Sequence, residues 1–370
     1  MKVDHLKSQS PRVLLFVGSY TRPVPHAPHS HGDGIHVFEV DFDAGQAKHK
    51  LVYPSVENPS YLCFDGSSRV LYAISELAGG QGGIVSALSF DGAFTRVVER
   101  THTGSGGTAP CYVSLSENRH LLVANYGDGS VASLALRPDG HIESMKSIVR
   151  FTGSGPNAER QERPHAHCVV PHPSNGLVYA ADLGTDTVYR CRVLADNGSI
   201  ELLGETHVQP GSGPRHIMFD PSGNLAFLVH EMSSHLGVFR VTDDGALIQE
   251  AYLSLLPVDF QGVSLGADLE VRVSDCEIEI YATNRGDDSV VALRINPETG
   301  DASARAWVRS RGKTPRSLAL EPNGRYLMVA NQDSDSIQVF YVGDEGAELQ
   351  PTFSILVPTP VCVKCSPLQE

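Results

Sequence analysis

One two-strand phrase recurs six times at spacings of about 50 residues, a partial seventh copy ends the chain, and the N-terminus holds the strands that this copy lacks. Together these observations predict an all-β fold, a seven-bladed β-propeller with four antiparallel strands per blade. Repeats that contact only their neighbours build one body, so the prediction is a single domain over residues 1–370.

In chain order, LLFVGSYT (14–21) and GIHVFEV (34–40) read as the second and third strands of a blade whose first strand is missing. NPSYLCFDGSSRVLYAISE (58–76) opens blade one, and APCYVSLSENRHLLVANYGDGSVASL (109–134) opens blade two. RPHAHCVVPHPSNGLVYAADLGTDTVYRC (163–191) is the third copy and GPRHIMFDPSGNLAFLVHEMSSHLGVF (213–239) the fourth. GADLEVRVSDCEIEIYATNRGDDSVVAL (266–293) is the fifth, with Ala267 where Pro59, Pro110, Pro164, Pro214 and Pro315 anchor the others. TPRSLALEPNGRYLMVANQDSDSIQVF (314–340) is the sixth. TPVCVKCSP (359–367) then supplies one opening strand, which pairs with the N-terminal strands in a closing blade. Closure of this kind removes the sheet edges that invite aggregation.

Gly 35 and Pro 23 suit an all-β chain with many turns. A net charge of −14 argues against nucleic acid as a partner, but a local arginine cluster still draws an anion. No apolar run reaches the roughly 20 residues that span a bilayer. Residues 1–12 lack an apolar signal core, so no membrane association and a cytoplasmic location are expected. The seven cysteines are scattered; Cys63, Cys111, Cys168 and Cys276 fall in strand patterns and read as buried, reduced thiols.

Antiparallel pairing puts the start of each first strand and the end of each second strand at one edge of the blade. With the first strands lining a central channel, these positions crowd one mouth. The strand starts hold Tyr61, Tyr112, His165, His167, Arg215, His216, Asp268, Glu270 and Arg316. The strand ends hold Glu76, Asn125, Tyr126, Asp182, Glu231, Asn284, Arg285, Asn331 and Gln332. Blades three to five bring a His, two Arg and a Glu to neighbouring positions, which suits an anion with an acid and a base beside it. Singly, each has a structural reading: Arg215 and Glu231 as an ion pair locking blade four, and Asp182, Asp186, Asp333 and Asp335 as Asx turns between second and third strands.

His26, His29 and His31 resemble a metal tract, but their loop is rich in Pro and Gly and offers no Cys or carboxylate pair; it reads as flexible and solvated, with no metal site. Cys362 and Cys365 form a CxxC inside a strand pattern, on opposite faces, without the helix start that lowers a redox thiol's pKa. GxSxG, a Walker loop and a strand-to-helix GxGxxG are all absent.

The motifs VGSYT (17–21), LLVANYGDGSV (121–131), PHAH (164–167), GPRH (213–216), HEMSS (230–234), NRGDDSV (284–290) and GKTPRSLALEPNGRYLMVANQDSDSI (312–337) resemble the seven-bladed propeller lactonase family. That family contains 6-phosphogluconolactonases and 3-carboxy-cis,cis-muconate lactonizing enzymes, and its members do not generally need a metal, so no cofactor is expected. The His, Arg, Glu and Arg proposed as catalytic in the muconate enzyme fall by motif on His167, Arg215, Glu231 and Arg285. His230 stands where relatives more often have Asn, which suggests an altered pocket polarity; Glu270 stands where they often have His or Arg, a carboxylate that would repel an anion.

The resemblance implies opening of a sugar lactone, 6-phosphogluconolactone first. That chemistry needs a base for water and positive groups for the oxyanion. Glu231 between two arginines is a weak base, since a free Glu already titrates near about 4.3. His167 is the better proton acceptor, with Arg215 and Arg285 holding the anion and the oxyanion. Tyr126, His165, His216, Asp268 and Gln332 are the expected substrate contacts, with Lys313 and Arg316 supplying cations for a phosphate. Two alternatives stay open: a cycloisomerase closing a carboxymuconate, and a non-enzymatic propeller that binds a metabolite or protein. The oligomeric state is also open.

Overall fold

The computed structural model describes residues 12–77, 81–273, 277–343 and 348–368. Seven four-stranded antiparallel sheets form a ring, and the described residues contain one short 3₁₀ turn, Gln332–Ser334. The closing blade orders its strands as Pro360–Pro367, Val13–Ser19, Ile35–Asp41 and Gln46–Tyr53, so the C-terminal strand is innermost and the two N-terminal segments stand second and third, as predicted. It packs between blade six and blade one.

The inner strands of blades one to six are Leu62–Asp65, Pro110–Leu115, Ala166–Pro171, Pro214–Phe219, Leu265–Val273 and Pro315–Leu320. Second strands such as Leu71–Ile74 and Leu121–Ala124 are buried on both faces, because each blade is sandwiched between two others. Their continuous apolar runs follow from that burial rather than from one-sided alternation. Fully buried tyrosines need a partner for the hydroxyl: Tyr72 donates to Gly140 O at 2.7 Å and Tyr179 to Gly245 O at 2.6 Å, each reaching the next blade.

Two local features shape the mouth. In five of the seven blades the residue before the proline that leads into the inner strand is left-handed, with φ of 43° at Asn58, 44° at Ala109, 65° at Gly213, 56° at Thr314 and 45° at Thr359. For the non-glycine residues this is strain that the ring must hold in place. Second, the pairing slips by a bulge just inside the mouth, between Pro110 and Tyr112, Ala166 and Cys168, Pro214 and His216, Gly266 and Leu269, and Pro315 and Ser317. Bulges re-aim side chains. Here two consecutive residues, and not alternate ones, meet groups of other blades at the channel.

The corner carboxylates do more than turn the chain. Asp182 Oδ1 accepts the Thr185 amide at 2.9 Å, the expected Asx geometry. Asp186, Asp288 and Asp335 instead accept the amides of Gly213 at 2.8 Å, Thr314 at 2.8 Å and Thr359 at 2.8 Å, all in the following blade. For Asp186 and Asp335 the sequence reading is thus corrected: they latch neighbouring blades at the left-handed residue.

Candidate active site

One ring position recurs in all seven blades, at the residue after the second strand or, in blade five, at its last residue: Tyr20, Glu76, Tyr126, Leu183, Glu231, Arg285 and Gln332. Most of these amides bond back to the residue before the inner strand or its neighbour, as Glu231 N does to Gly213 O at 2.7 Å and Tyr126 N to Ala109 O at 3.0 Å. The first bulge residue of each inner strand points into the same space, including Cys111, His167, Arg215 and Arg316.

Blades three to five bring together the four residues singled out first. Glu231 Oε2 accepts Arg215 Nε at 3.0 Å and Arg285 Nη2 at 2.8 Å, and faces His167 Nε2 at 3.8 Å, beyond a direct hydrogen bond. A fifth group was missed: Arg160 Nη2 reaches Glu231 Oε1 at 2.6 Å and Tyr126 Oη at 3.4 Å. It comes from the aperiodic segment before blade three, where strand register carries no information; a basic residue in NAERQERP beside the mouth was the only cue.

Burial would raise the Glu231 pKa, but Arg285, Arg215, His167 and Arg160 together outweigh it and hold the carboxyl well below its usual range. His167 moves down, first through burial and then through Arg215, so it is a neutral imidazole near neutral pH. Burial also lowers Arg285 to about 10, against the pull of Glu231. Three guanidinium groups surround one carboxylate, which leaves a local positive excess in a chain of net charge −14.

The expected substrate contacts separate by depth. His216 and Asp268 lie one layer beneath the mouth and bond to each other at 2.7 Å. Asp268 takes the Nδ1 proton of His216, so Nε2 is the atom that accepts Arg215 Nη1 at 3.1 Å. The His216 ring meets Tyr61 and Tyr112 across the channel at 5.7 Å and 5.1 Å. The sequence puts all four at the mouth; the structure sinks them beneath it, Tyr112, His216 and Asp268 through the bulges of their inner strands. Glu270 lies two residues further along the inner strand, half-buried, and burial pushes its carboxyl up to about 8 against Lys364. Burial thus favours the neutral form of Glu270, which lies below the Asp268 layer.

His165 stacks on Tyr126 with centroids 4.4 Å apart and meets Glu162 at 3.1 Å. Arg316 reaches the mouth from blade six, donating to Tyr20 Oη at 2.9 Å. Gln332 is buried on the ring with Nε2 on Asp333 at 2.8 Å, whereas Lys313 is exposed, its amide on Ser334 Oγ at 2.9 Å.

Asn125, Asn284 and Asn331 are structural. Each sits one residue before the ring position, and its amide donates to a backbone carbonyl in or just after the outer strand of the preceding blade: Ser105 O at 3.3 Å, Leu255 O at 2.8 Å and Ser310 O at 3.1 Å. His230 occupies the same position, fully buried, with Nδ1 on Ser212 Oγ at 2.8 Å. Its side chain faces Tyr252 and not the mouth, so it does not alter the pocket's polarity as expected.

The loop of His26, His29 and His31 is also corrected. Val24 and Ala27 are buried against Tyr20 and Val361, and Asn58 Oδ1 accepts the amides of Thr21 and Arg22, both at 2.8 Å. This is a fixed strap, and it sets His26 Nε2 on Tyr20 Oη at 2.8 Å. Among the described residues no group of three or more His, Cys, Asp or Glu is arranged for a metal ion. Six described cysteines are free, with Cys111, Cys168, Cys191 and Cys362 buried and Cys63 and Cys365 half-buried; Cys276 lies outside the described residues. No helix among the described residues is long and apolar enough to cross a membrane.

The family described as "Lactonase, 7-bladed beta-propeller" matches residues 14–365. The chain is 31% identical over 352 residues to the 6-phosphogluconolactonase of Bacillus subtilis, an alignment covering 94% of this chain and 97% of that protein. It is 29% identical over 347 residues to the 6-phosphogluconolactonase of Formosa agariphila, covering 91% and 94%. Among solved structures, the periplasmic gluconolactonase of Pseudomonas aeruginosa superimposes with a TM-score of 0.86 at 29% identity, over 97% of this chain and all (100%) of that one.

Proposed function

The chain belongs to the seven-bladed β-propeller lactonase family, and from that premise we propose that it hydrolyses a sugar lactone, with 6-phosphogluconolactone opened to 6-phosphogluconate as the leading reaction. The observation that carries this reading is the Glu231 carboxylate ringed by Arg160, Arg215 and Arg285 beside a neutral His167. The substrate is a small anionic lactone, and a net positive mouth in an acidic protein concentrates it there.

In the proposed reaction His167 takes a proton from water as the water attacks the lactone carbonyl carbon. Arg215 and Arg285 stabilise the oxyanion of the tetrahedral intermediate. The bond from that carbon to the ring oxygen then breaks, and the imidazolium returns its proton to the leaving oxygen. Glu231 stays ionised throughout and fixes the three guanidinium groups, whose planar forks suit a carboxylate or phosphate. The rim Lys313 extends the cationic side toward blade six, and Arg316, drawn to Tyr20 Oη, stands between the two walls of the mouth. All of these steps use the chain's own residues, and a chelator is expected to leave the rate unchanged.

The single-domain reading of the chain rests on the closed ring of seven sheets, and the free thiols support a cytoplasmic location, which cell fractionation tests. The function itself is tested by proton release on mixing the protein with freshly generated 6-phosphogluconolactone, in parallel with loss of 3-carboxy-cis,cis-muconate absorbance. Acid release alone supports the lactonase. Absorbance loss without acid release moves the reading to a cycloisomerase, and silence in both leaves a binding propeller.

A further inference from the structure

The wall of the mouth opposite the arginines has a different chemistry. Tyr20 and Glu76 are ring neighbours in the closing blade and blade one, across the channel from Glu231 and Arg285 in blades four and five. Tyr20 Oη lies 2.8 Å from Glu76 Oε2, 2.9 Å from Arg316 Nη2 and 2.8 Å from His26 Nε2. A phenol has one proton. Given to the carboxylate, it leaves the oxygen to accept from Arg316 and from His26, which fixes the imidazole proton on Nε2. His26 Nδ1 then keeps its lone pair, with no hydrogen bond to the described residues. Among the described residues, Glu76 Oε1 has its one polar neighbour in His26 Nε2, at 3.7 Å, and Arg316 hydrogen-bonds through Nη2 alone.

This wall is built. The strap that carries His26 has its own apolar staple of Val24, Ala27, Tyr20 and Val361, and its far end is tied down by Gly32 N on Tyr20 O at 2.7 Å. The His26 side chain is still 45% exposed, standing over the mouth. Its pKa is lowered to about 4, by burial first and by Arg316 next, with Arg285 and Glu231 also within electrostatic reach, so it spans toward the facing wall as a neutral group.

The two walls therefore differ in what they leave open. The arginine wall offers donors, because Glu231 is occupied on both oxygens. The strap wall offers two open acceptors, Glu76 Oε1 and His26 Nδ1, beside spare donors of Arg316. Hydroxyl groups both donate and accept, and adjacent hydroxyls match such an alternating set; a phosphate or carboxylate does not, because it would face the Glu76 carboxylate.

We propose that Tyr20, His26, Glu76 and Arg316 form a polyol subsite, which takes the hydroxyl-bearing carbons of the substrate while its anionic group and carbonyl lie against the arginines. This rests on the sugar-lactone reading and adds an orientation to it. His26 and Glu76 are specificity-determining and stand apart from the bond-breaking step.

The test uses titration calorimetry with the stable product 6-phosphogluconate and with 6-phosphohexanoate, which has the same charges and no hydroxyls on its chain. The wild-type protein is expected to prefer 6-phosphogluconate. His26→Ala and Glu76→Gln should each weaken 6-phosphogluconate about ten- to a hundredfold and leave 6-phosphohexanoate within twofold. In turnover the same variants should raise KM and spare kcat. Equal losses for both ligands, unchanged affinity, or a wild-type protein indifferent to the hydroxyls would overturn the subsite. Wild-type acid release from 6-phosphogluconolactone, measured alongside, reports separately on the lactonase. Discrimination without turnover would keep the subsite and sink the lactonase, and turnover without discrimination would do the reverse.

Discussion

Residues 284 and 285, and likewise 230 and 231, are one peptide bond apart at the same strand end, yet they belong to different parts of the molecule. Asn284 turns away from the mouth and donates to Leu255 O, at the outer end of blade four, at 2.8 Å, while Arg285 turns into the mouth and meets Glu231 at 2.8 Å. His230 is sealed against Ser212 and Tyr252, while Glu231 gathers three arginines. Alternation along the strand sends neighbours to opposite faces. The ring thus has a structural circle of Asn125, Asp182, His230, Asn284 and Asn331, and next to it a chemical circle. A polar residue at a strand end is informative only once its phase is known.

The largest effect that would sharpen this contrast is removal of the central carboxylate. Glu231→Ala leaves buried guanidinium groups without their counter-charge, and breaking such a cluster costs about 3–5 kcal/mol. Chemical denaturation should show the loss, together with a collapse of lactone turnover. The paired substitutions at the next strand end separate the circles more cleanly. Arg285→Ala should lower kcat/KM about 10²–10³-fold with little change in unfolding midpoint. Asn284→Ala should do the opposite: a loss of about 1–3 kcal/mol from an orphaned buried partner, with kcat within twofold. Equal kinetic damage from both would break the comparison.

His230 provides a pH test with a worked sign. Burial holds its pKa down at about 3 in the folded protein, against 6.5 for a free imidazole. Below pH 6.5 the unfolded chain binds a proton that the folded one refuses, so stability falls as the pH falls, by about 1.4 kcal/mol per pH unit. His230→Asn should flatten that acid limb while leaving turnover intact. Glu270 has the reverse sign and a smaller effect. Its pKa is raised to about 8, so its contribution is present at pH 4 and lost as the pH climbs through 8. Since the carboxyl is only half-buried, Glu270→Gln should stabilise the protein by about 1 kcal/mol or less at pH 8.5 and not at pH 5.

The fold was legible because the repeat states it six times and its partial seventh copy names the closing strand 360–367 beside strand 13–19. The mouth was legible in outline for the same reason, since anchor positions such as Pro214 and Pro315 fix which residues share an edge. Depth was not, because the bulges after Pro110, Pro214 and Pro315 change the phase by one residue, and a bulge leaves no mark in an apolar–polar pattern. That is why Tyr112 and His216, and Asp268 in the bulge between Gly266 and Leu269, lie beneath the rim on which the strand pattern puts them. Arg160 and His26 were out of reach because they arrive on aperiodic segments. Tyr20 was within reach, since aligning VGSYT with the strand ends of the other blades puts it on the ring.

The account turns on His167 as the group that takes the proton from water. The most direct test is the initial rate of acid release from freshly generated 6-phosphogluconolactone by the wild-type protein and by His167→Ala, each corrected for spontaneous opening. A general base of this kind contributes about 10²–10⁴-fold, so the variant should fall by that factor while keeping its unfolding midpoint and its affinity for 6-phosphogluconate. A folded His167→Ala protein that releases acid at the wild-type rate would contradict the mechanism.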